Sequence, residues 1–219
     1  YAMNGVVWNE DGTLNEESVM EALKYMETLV KEELVAPEDK TSSGMDAYKR
    51  LTGGSASFLT GPTSFVSRST NEEECSVVGQ ITPILMPGKE AKSEVTMALP
   101  EGLGVTKFSE NKEAAKKFVE WYTSADMQKE LNASNSAIPT RNSVLKALVE
   151  DGTIKNAGAM MDEAERIVSP FPNGIPAYYA EMSSAMYNAI NKMALGEMTA
   201  EEAFEDMNAK ITELVEQDK

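Results

Sequence analysis

The stretch Leu51–Phe65, LTGGSASFLTGPTSF, decides how the rest of the chain is interpreted. It contains a short apolar run, flanked by Gly53-Gly54 on one side and by the Gly61-Pro62 turn on the other. This arrangement is typical of a buried strand that ends in a turn. The pattern therefore predicts that a sheet edge delivers three side chains to the rim of a binding cleft: Thr63, Ser64 and Phe65.

The composition narrows the classes of partner. With 219 residues, 42% of them hydrophobic, the chain is long enough for one sizeable domain or two small ones. The net charge is −16 and no Lys/Arg cluster interrupts the acidic balance, so a phosphate backbone would be repelled. We expect neither nucleic acid nor an anionic membrane surface as a partner, and no segment is long enough for insertion into a membrane. The lone Cys75 leaves the redox compartment undecided.

The absence of histidine excludes most catalytic and metal chemistry. Ser-His-Asp and Cys-His catalysis and His-ligated zinc or iron all require a residue that the sequence lacks. Carboxylate chemistry remains open, but no acidic pair stands in an apolar, glycine-shaped setting that would raise a pKa. We therefore expect no catalytic residue, no metal, no cofactor and no enzyme activity.

Most of the chain has helical periodicity. Asn15 is a suitable N-cap for an amphipathic helix that ends near Leu34, and Thr199 with Glu202 forms a capping-box pattern. Further helices are predicted over about 45–51, from Ser109, from Ser124, from Ser143, over 154–167 and over 178–195. Short strands are predicted over 77–81, 84–86 and 95–98, and three prolines make 169–176 a rigid loop. Trp8 is interpreted as a packing residue rather than a sugar-stacking platform.

Five stretches, taken in order, resemble the bacterial extracellular solute-binding proteins of the maltose-binding-protein type, which deliver carbohydrate to ABC importers. They are the Asp11-Gly12 turn with its long helix, GGSASFLTGPTSF (53–65), ILMPG (84–88), SENKEAAKKFVEWYTSADMQKEL (109–131) and LGEMTAEEAFEDMNAKI (195–211). Each stretch is weak evidence by itself. Their order along nearly the whole chain makes the resemblance specific.

The resemblance implies an α/β, periplasmic-binding-protein-like fold of two lobes, of which this chain is mainly the C-terminal lobe. Residues 1–97 and 143–219 would form that lobe, and residues 98–142 would cross into the N-terminal lobe and return. Met97–Gly102 and Ala137–Arg141 then become hinge candidates. The family is about twice as long, so the N-terminal lobe and an export signal are expected upstream of Tyr1, with an extracytoplasmic location as a periplasmic protein or a cell-surface lipoprotein.

The resemblance also implies a ligand and its contacts. The expected partners are a carbohydrate or similar polar small molecule and the ABC permease subunits. A sugar pocket combines aromatic plates with polar side chains, but Thr63 stands where the family commonly places a stacking Trp. Phe65, Tyr178 and Tyr179 are alternative stacking surfaces, or else packing residues. The ligand-binding candidates are Thr63, Ser64, Phe65, Glu101, Arg141, Tyr178 and Tyr179.

Two other interpretations stay open at this point. One is a fragment of a carboxylate-based glycoside hydrolase, which would release product from an oligosaccharide through an essential Asp or Glu. The other is a helical interaction domain without a small-molecule site. Within the solute-binding interpretation, these residues alone are expected to bind sugar weakly or not at all, because most of one lobe is missing.

Overall fold

The computed structural model of the chain describes residues 6–89, 95–98, 101–155, 157–171 and 173–218. Unit 1 comprises Tyr1–Asp46, Met86–Met97 and Ile167–Lys219, and unit 2 comprises Ala47–Leu85 and Ala98–Arg166. The helices are α1 (Glu16–Lys31), α2 (Gly44–Thr52), α3 (Ser64–Arg68), α4 (Lys112–Tyr122), α5 (Ala125–Asn135), α6 (Asn142–Glu150), α7 (Gly158–Ala164), α8 (Tyr179–Ala194) and α9 (Ala200–Gln217), and a 3₁₀ helix spans Pro37–Lys40.

Unit 1 is built around the three long helices α1, α8 and α9, which pack against one another. α1 begins as predicted, since the Ser18 N–H donates to the Asn15 side chain at 3.1 Å. The predicted capping box also starts α9, with the Glu202 N–H donating to Thr199 Oγ1 at 3.2 Å and the Thr199 N–H donating to Glu202 Oε2 at 2.8 Å. The buried core consists of Trp8, Leu14, Val19, Leu23, Met182, Ala189, Met193, Ala200, Ala203, Phe204, Met207, Ile211, Leu214 and Val215.

A tight turn at Asp11-Gly12 closes an antiparallel bridge between Trp8 and Leu14 in unit 1. Gly12 has a φ of +86°, and a Cβ at this position would lie 3.4 Å from the Tyr178 hydroxyl oxygen. Only glycine adopts this backbone conformation readily, so the turn and the approach of Tyr178 both depend on it. The burial of Trp8 in the core confirms the packing interpretation of that residue.

Unit 2 has a smaller core, gathered around α6, α7 and the loop between them. Its buried residues are Val144, Leu145, Leu148, Ile154, Ala157 and Met160. α5 starts at the predicted cap, where the Met127 N–H donates to Ser124 Oγ at 3.3 Å. The prediction that Ser109 caps α4 is wrong, because α4 begins at Lys112 and Ser109 Oγ instead accepts from the Asn111 N–H at 3.2 Å.

The predicted strand within Leu51–Phe65 is wrong. α2 continues to Thr52, and the backbone N–H groups that follow it turn back onto α2 carbonyls: Gly53 donates to Lys49 O at 2.8 Å and Ser55 to Arg50 O at 2.9 Å. These bonds end a helix and leave no ladder for a strand. The apolar run is not buried either, since Phe58 is 89% exposed.

The other predicted strands are also not formed as strands. Residues 77–79 lie in a turn, and Ile84 is exposed. Strand-like pairing in the described residues is limited to isolated bridges, such as the parallel bridge between Thr96 and Ile167, where the Val168 N–H donates to Thr96 O at 2.8 Å. The described part of this α/β-class chain is therefore mostly helical.

Candidate functional site

The Gly61-Pro62 turn presents Thr63 and Ser64 at the start of α3, in unit 2. The Phe65 N–H donates to Pro62 O at 3.0 Å, which fixes the turn, and Thr63 occupies the N-cap position of the helix. Both hydroxyl side chains are half-buried, and neither forms a hydrogen bond with the described part of the chain. The two hydroxyls can therefore bond to a polar ligand without breaking an existing contact.

Phe65, the third residue of this turn, packs closely within unit 2. Its ring lies against the buried Tyr48 ring, with centroids 4.4 Å apart. A Cβ at Gly61 would come within 2.7 Å of the Phe65 ring, so only glycine fits there without displacing the ring. These contacts favour a core-anchor role for Phe65 over a free stacking surface.

Tyr48 was not anticipated as a notable residue from the sequence. Its hydroxyl oxygen is buried and has no hydrogen-bond partner among the described residues. Burial raises the pKa of Tyr48 to about 12, and the nearby Glu74 and Cys75 act in the same direction. A buried phenol without a partner costs folding free energy, so Tyr48 is a weak point beneath the Thr63–Phe65 turn.

Glu101 and Arg141 lie in the two predicted hinge segments. Glu101 is exposed, and Leu99 and Pro100, which belong to the same predicted hinge, lie outside the described residues. Arg141 joins α6 to the start of α5, since its Nε donates to Thr123 O at 2.8 Å and its backbone N–H donates to Gln128 Oε1 at 3.1 Å. Arg141 therefore has a structural role within unit 2, and its contact with a ligand stays a prediction.

Tyr178 and Tyr179 lie in unit 1, where α8 begins. The Tyr178 ring packs against the core, and burial raises the pKa of its hydroxyl, with a smaller contribution from Asp218. Tyr179 is 44% exposed and meets the Phe171 ring edge-on, with centroids 5.7 Å apart at 88°. Tyr178 is thus mainly a packing residue, and Tyr179 offers an open aromatic surface.

Tyr179, Phe171 and Trp8 form a short row of aromatic rings in contact, which the sequence does not predict. The Phe171 ring stacks on Trp8 at 5.6 Å and 30°. The loop that carries it is held at two points: Ser169 Oγ donates to Phe171 O at 2.9 Å, and Asn173 Nδ2 donates to Glu10 O at 2.9 Å. The available signal was an aromatic residue inside a proline-rich, rigid loop. The Tyr179 ring therefore packs against a Phe171 ring whose loop is held in place by hydrogen bonds.

The pKa is lowered at the carboxyl groups of Asp151, Glu201 and Glu213. Hydrogen bonds from Thr153 lower the pKa of Asp151, Lys24 mainly lowers that of Glu201, and Lys210 mainly lowers that of Glu213. A glycosidase acid needs a raised pKa. The described residues contain no cluster of three or more acidic, Cys or His side chains suited to a metal ion. No helix in the described ranges has the length and apolar character needed to cross a membrane.

The predicted site residues are divided between the two units. Thr63, Ser64, Phe65, Glu101 and Arg141 belong to unit 2, whereas Tyr178 and Tyr179 belong to unit 1. Within unit 2, two neighbouring hydroxyl side chains stand beside a packed aromatic ring. Within unit 1, the exposed Tyr179 ring packs edge-on against the partly buried Phe171 ring, which stacks on the buried Trp8. Hydroxyls and aromatic surfaces are groups that recognise neutral, hydroxyl-rich molecules.

Solved structures with the same fold cover nearly all of this chain. Maltose-bound MalE3 of T. maritima matches with a TM-score of 0.79 and 25% identity, over 97% of this chain and 55% of that chain. The maltose-binding periplasmic protein MalE of Listeria monocytogenes, in complex with maltose, matches with a TM-score of 0.66 and 21% identity, over 99% of this chain and 56% of that chain. The chain thus has the periplasmic-binding-protein fold and spans little more than half the length of these structures.

The sequence gives the family directly. Residues 1–129 match the family of bacterial extracellular solute-binding proteins, which is more than half of the chain. That family consists of binding proteins rather than enzymes, and its members act outside the cytoplasm. The sequence match and the fold agree with each other, and the chain belongs to the bacterial extracellular solute-binding proteins.

Proposed function

We propose that this protein is the substrate-binding component of an ABC importer, which binds a sugar or oligosaccharide and delivers it to permease subunits in the membrane. The observation that carries the proposal is the similarity to maltose-bound MalE3 over 97% of the chain. The proposed location is extracytoplasmic, as a periplasmic protein or a cell-surface lipoprotein with an export signal.

The candidate residues supply the chemistry that a sugar requires. A sugar has flat C–H faces that stack on aromatic rings and hydroxyls that need hydrogen-bond partners. Tyr179, supported by Phe171, offers the aromatic surface, and Thr63 and Ser64 offer unbonded hydroxyls. A chain with a net charge of −16 suits a neutral solute better than an anionic one.

In the proposed mechanism, two lobes close around the solute. Residues 1–97 and 143–219 would contribute to the C-terminal lobe, and residues 98–142 would pass into the N-terminal lobe and return. Binding stabilises the closed form, and the permease recognises that form. Because the 219 residues correspond to 55% of MalE3, they are expected to bind sugar weakly when isolated.

Isothermal titration calorimetry of the full-length gene product with maltose and longer maltooligosaccharides tests the proposal. We expect saturable binding by the full-length product and weak or absent binding by residues 1–219. If no carbohydrate in a broad panel binds the full-length product, the proposed substrate class is wrong. Tight binding by the 219 residues alone would instead refute the need for a second lobe.

Two tyrosines on α8 provide a matched pair for locating the contact. Tyr179→Ala removes the ring next to Phe171, whereas Tyr187→Ala removes a 71% exposed ring further along the same helix. An aromatic contact contributes about 0.5–1.5 kcal/mol, so Tyr179→Ala should weaken sugar binding about two- to tenfold. Tyr187→Ala should leave the affinity unchanged. Equal effects of the two substitutions would remove Tyr179 from the site.

The hydrolase alternative has no supporting observation in the described residues. Its defining test is product release from an oligosaccharide library, abolished by a single Asp or Glu substitution. We expect the full-length product to return bound sugar intact, as measured by chromatography of the released ligand. Cleaved product that disappears with one carboxylate substitution would replace the transport proposal with an enzymatic one.

A further inference from the structure

Tyr48, in α2, is a buried residue that contacts the Thr63–Phe65 turn of unit 2. Tyr48 is 2% exposed, and its ring lies against the Phe65 ring with the centroids 4.4 Å apart and the planes inclined by 33°. This is a close contact for two aromatic rings, whose centroids usually lie about 4.5–7 Å apart. The position of Phe65 is therefore tied to α2 through Tyr48.

Helix α3, which follows Thr63, is too short to keep its position without side-chain contacts. It has 5 residues, and helices below about 12–15 residues are marginal by themselves. Phe65 contacts Tyr48, and Val66 packs against the small core around α6 and α7. Thr63 forms no side-chain capping bond. The positions of the Thr63 and Ser64 hydroxyls therefore depend on the packing of the two residues that come next in the chain.

The backbone of Gly61 also approaches the Phe65 ring closely. A Cβ at Gly61 would lie 2.7 Å from one ring carbon of Phe65 and 3.0 Å from another, so any side chain there would displace the ring. The ring is therefore confined by two contacts within unit 2, one with Tyr48 and one with the turn that precedes Thr63.

We propose that Tyr48 is a positioning residue for sugar binding: through Phe65, its ring holds the hydroxyls of Thr63 and Ser64 where a ligand can bond to them. This inference rests on the proposed function, in which these two hydroxyls contact the sugar. The ring has this role rather than the Tyr48 hydroxyl, which has no hydrogen-bond partner among the described residues. Phenylalanine at this position would keep the ring contact, whereas leucine would remove it.

Calorimetry of the full-length gene product with maltooligosaccharides compares Tyr48→Leu with Tyr48→Phe. We expect Tyr48→Leu to weaken binding about tenfold, because hydrogen bonds from the sugar to the displaced hydroxyls are lost. Tyr48→Phe should keep the parent affinity. Leu23→Ala, which removes a buried side chain of unit 1, is the control for lost stability: it should lower the melting temperature and leave the affinity unchanged. A tenfold loss in Leu23→Ala as well would contradict the inference.

A double-mutant cycle tests whether Tyr48 acts through the two hydroxyls. In a protein that already carries Thr63→Ala and Ser64→Ala, Tyr48→Leu should cause no further loss of affinity, because the groups that it positions are absent. A tenfold loss in that background too would show that Tyr48 affects binding by another route, and the inference would be wrong.

Gly61→Ala covers the case in which Tyr48→Leu fails to fold. It displaces the Phe65 ring while Tyr48 stays in place, and Gly61 does not have a positive φ that would strain an alanine. We expect Gly61→Ala to weaken sugar binding as well. Parent-like affinity in this variant would show that the position of the Phe65 ring does not control binding, and would overturn the inference.

Amide hydrogen exchange, followed by NMR on the same proteins, separates this inference from the proposed function. The Phe65 N–H donates to Pro62 O and the Val66 N–H donates to Thr63 O, each at 3.0 Å. Tyr48→Leu should speed exchange at these two amides, and Tyr48→Phe should not. Unchanged exchange in Tyr48→Leu refutes this inference alone. A parent protein that binds no carbohydrate refutes the proposed function and the sugar contact of the turn, while the exchange rates still decide whether Tyr48 fixes the turn.

Discussion

Unit 1 and unit 2 differ in how fully their helices are buried. In unit 1, α9 alone contributes seven buried residues, from Ala200 to Val215, and two side chains, Met207 and Ile211, are almost completely enclosed. In unit 2, α6 contributes three buried residues and α4 contributes none. Both sets of helices are amphipathic, so the difference lies in the partners that the described residues provide for them.

The comparison teaches that apolar patterning and burial are separate properties. The sequence of an amphipathic helix determines which face is apolar, but the residues that bury this face belong to other parts of the protein. The apolar face of α9 packs against α1 and α8, which belong to the same 219 residues. Two aromatic residues of α4, Phe118 and Trp121, remain more than half exposed among the described residues.

The largest expected effect tests the enclosed core of unit 1. Ile211 is completely buried, so Ile211→Ala removes packing that the surroundings cannot easily replace. We expect a loss of about 3–5 kcal/mol in the free energy of unfolding, measured by urea denaturation. Ile175→Ala, at a 74% exposed position of the same unit, should change it by less than about 0.5 kcal/mol. Similar losses for the two variants would contradict the picture of an enclosed core.

The corresponding substitution in unit 2 is Leu145→Ala. Leu145 is 4% exposed and belongs to the cluster around α6 and α7, which has fewer buried residues than the core of unit 1. We expect a loss of about 2–3 kcal/mol, at the lower end for a buried leucine. Chemical denaturation followed by circular dichroism gives the value. A loss larger than that of Ile211→Ala would reverse the ranking of the two cores.

The features that could be predicted from the sequence are those set by neighbouring residues. The Asn15 cap of α1, the Ser124 cap of α5 and the Thr199–Glu202 capping box each need only a few adjacent residues, and all three are present. The family resemblance, which depends on several local motifs in a fixed order, is confirmed by the match of residues 1–129. Local chemistry therefore predicts these helix starts, whereas the fold is predicted by the family resemblance.

The features that were missed depend on contacts that a local pattern does not contain. The small residues after Thr52 form bonds to the carbonyls that end α2, and their Gly- and Ser-rich sequence is compatible with either a strand border or a helix end. The Phe171 ring stacks on Trp8, which lies near the N-terminus, and Asn173 hydrogen-bonds the same loop to Glu10. Such pairings across more than 160 residues have no signal in either segment alone.

The free energy of unfolding, measured at increasing alkaline pH, tests the effect of the buried Tyr48 hydroxyl in unit 2. The folded state raises the pKa of Tyr48 from 10.0 to about 12, so the unfolded chain releases this proton first as the pH rises. Ionisation of Tyr48 therefore leaves stability unchanged below pH 10 and lowers it between pH 10 and about 12, where the unfolded chain is deprotonated and the folded chain is not. We expect this group to account for roughly 2 kcal/mol of lost stability by the upper end of that range.

Tyr48→Phe is the control for this titration. It removes both the proton and the unpartnered hydroxyl, so the steep part of the alkaline decline should disappear, and stability at neutral pH should rise by up to about 1 kcal/mol. Denaturation curves collected at a series of pH values give both quantities. If the variant and the parent lose stability in parallel above pH 10, ionisation of Tyr48 is not the cause.

The smallest expected effect compares how the helices of the two units begin. Thr199 caps α9 with its side chain, whereas Asn111 precedes α4 without a side-chain capping bond. Thr199→Ala removes the hydroxyl that accepts from the Glu202 N–H, whereas Glu202 Oε2 can still accept from the N–H of residue 199. We expect the loss of this one capping bond to cost about 1 kcal/mol. Asn111→Ala breaks no such bond and should cost less than about 0.5 kcal/mol in the 219-residue chain. Thermal unfolding of the two variants provides the comparison. Equal costs would mean that α4 already contributes to the stability of unit 2 as α9 does to that of unit 1, and the contrast between a covered and an uncovered helix would then fail.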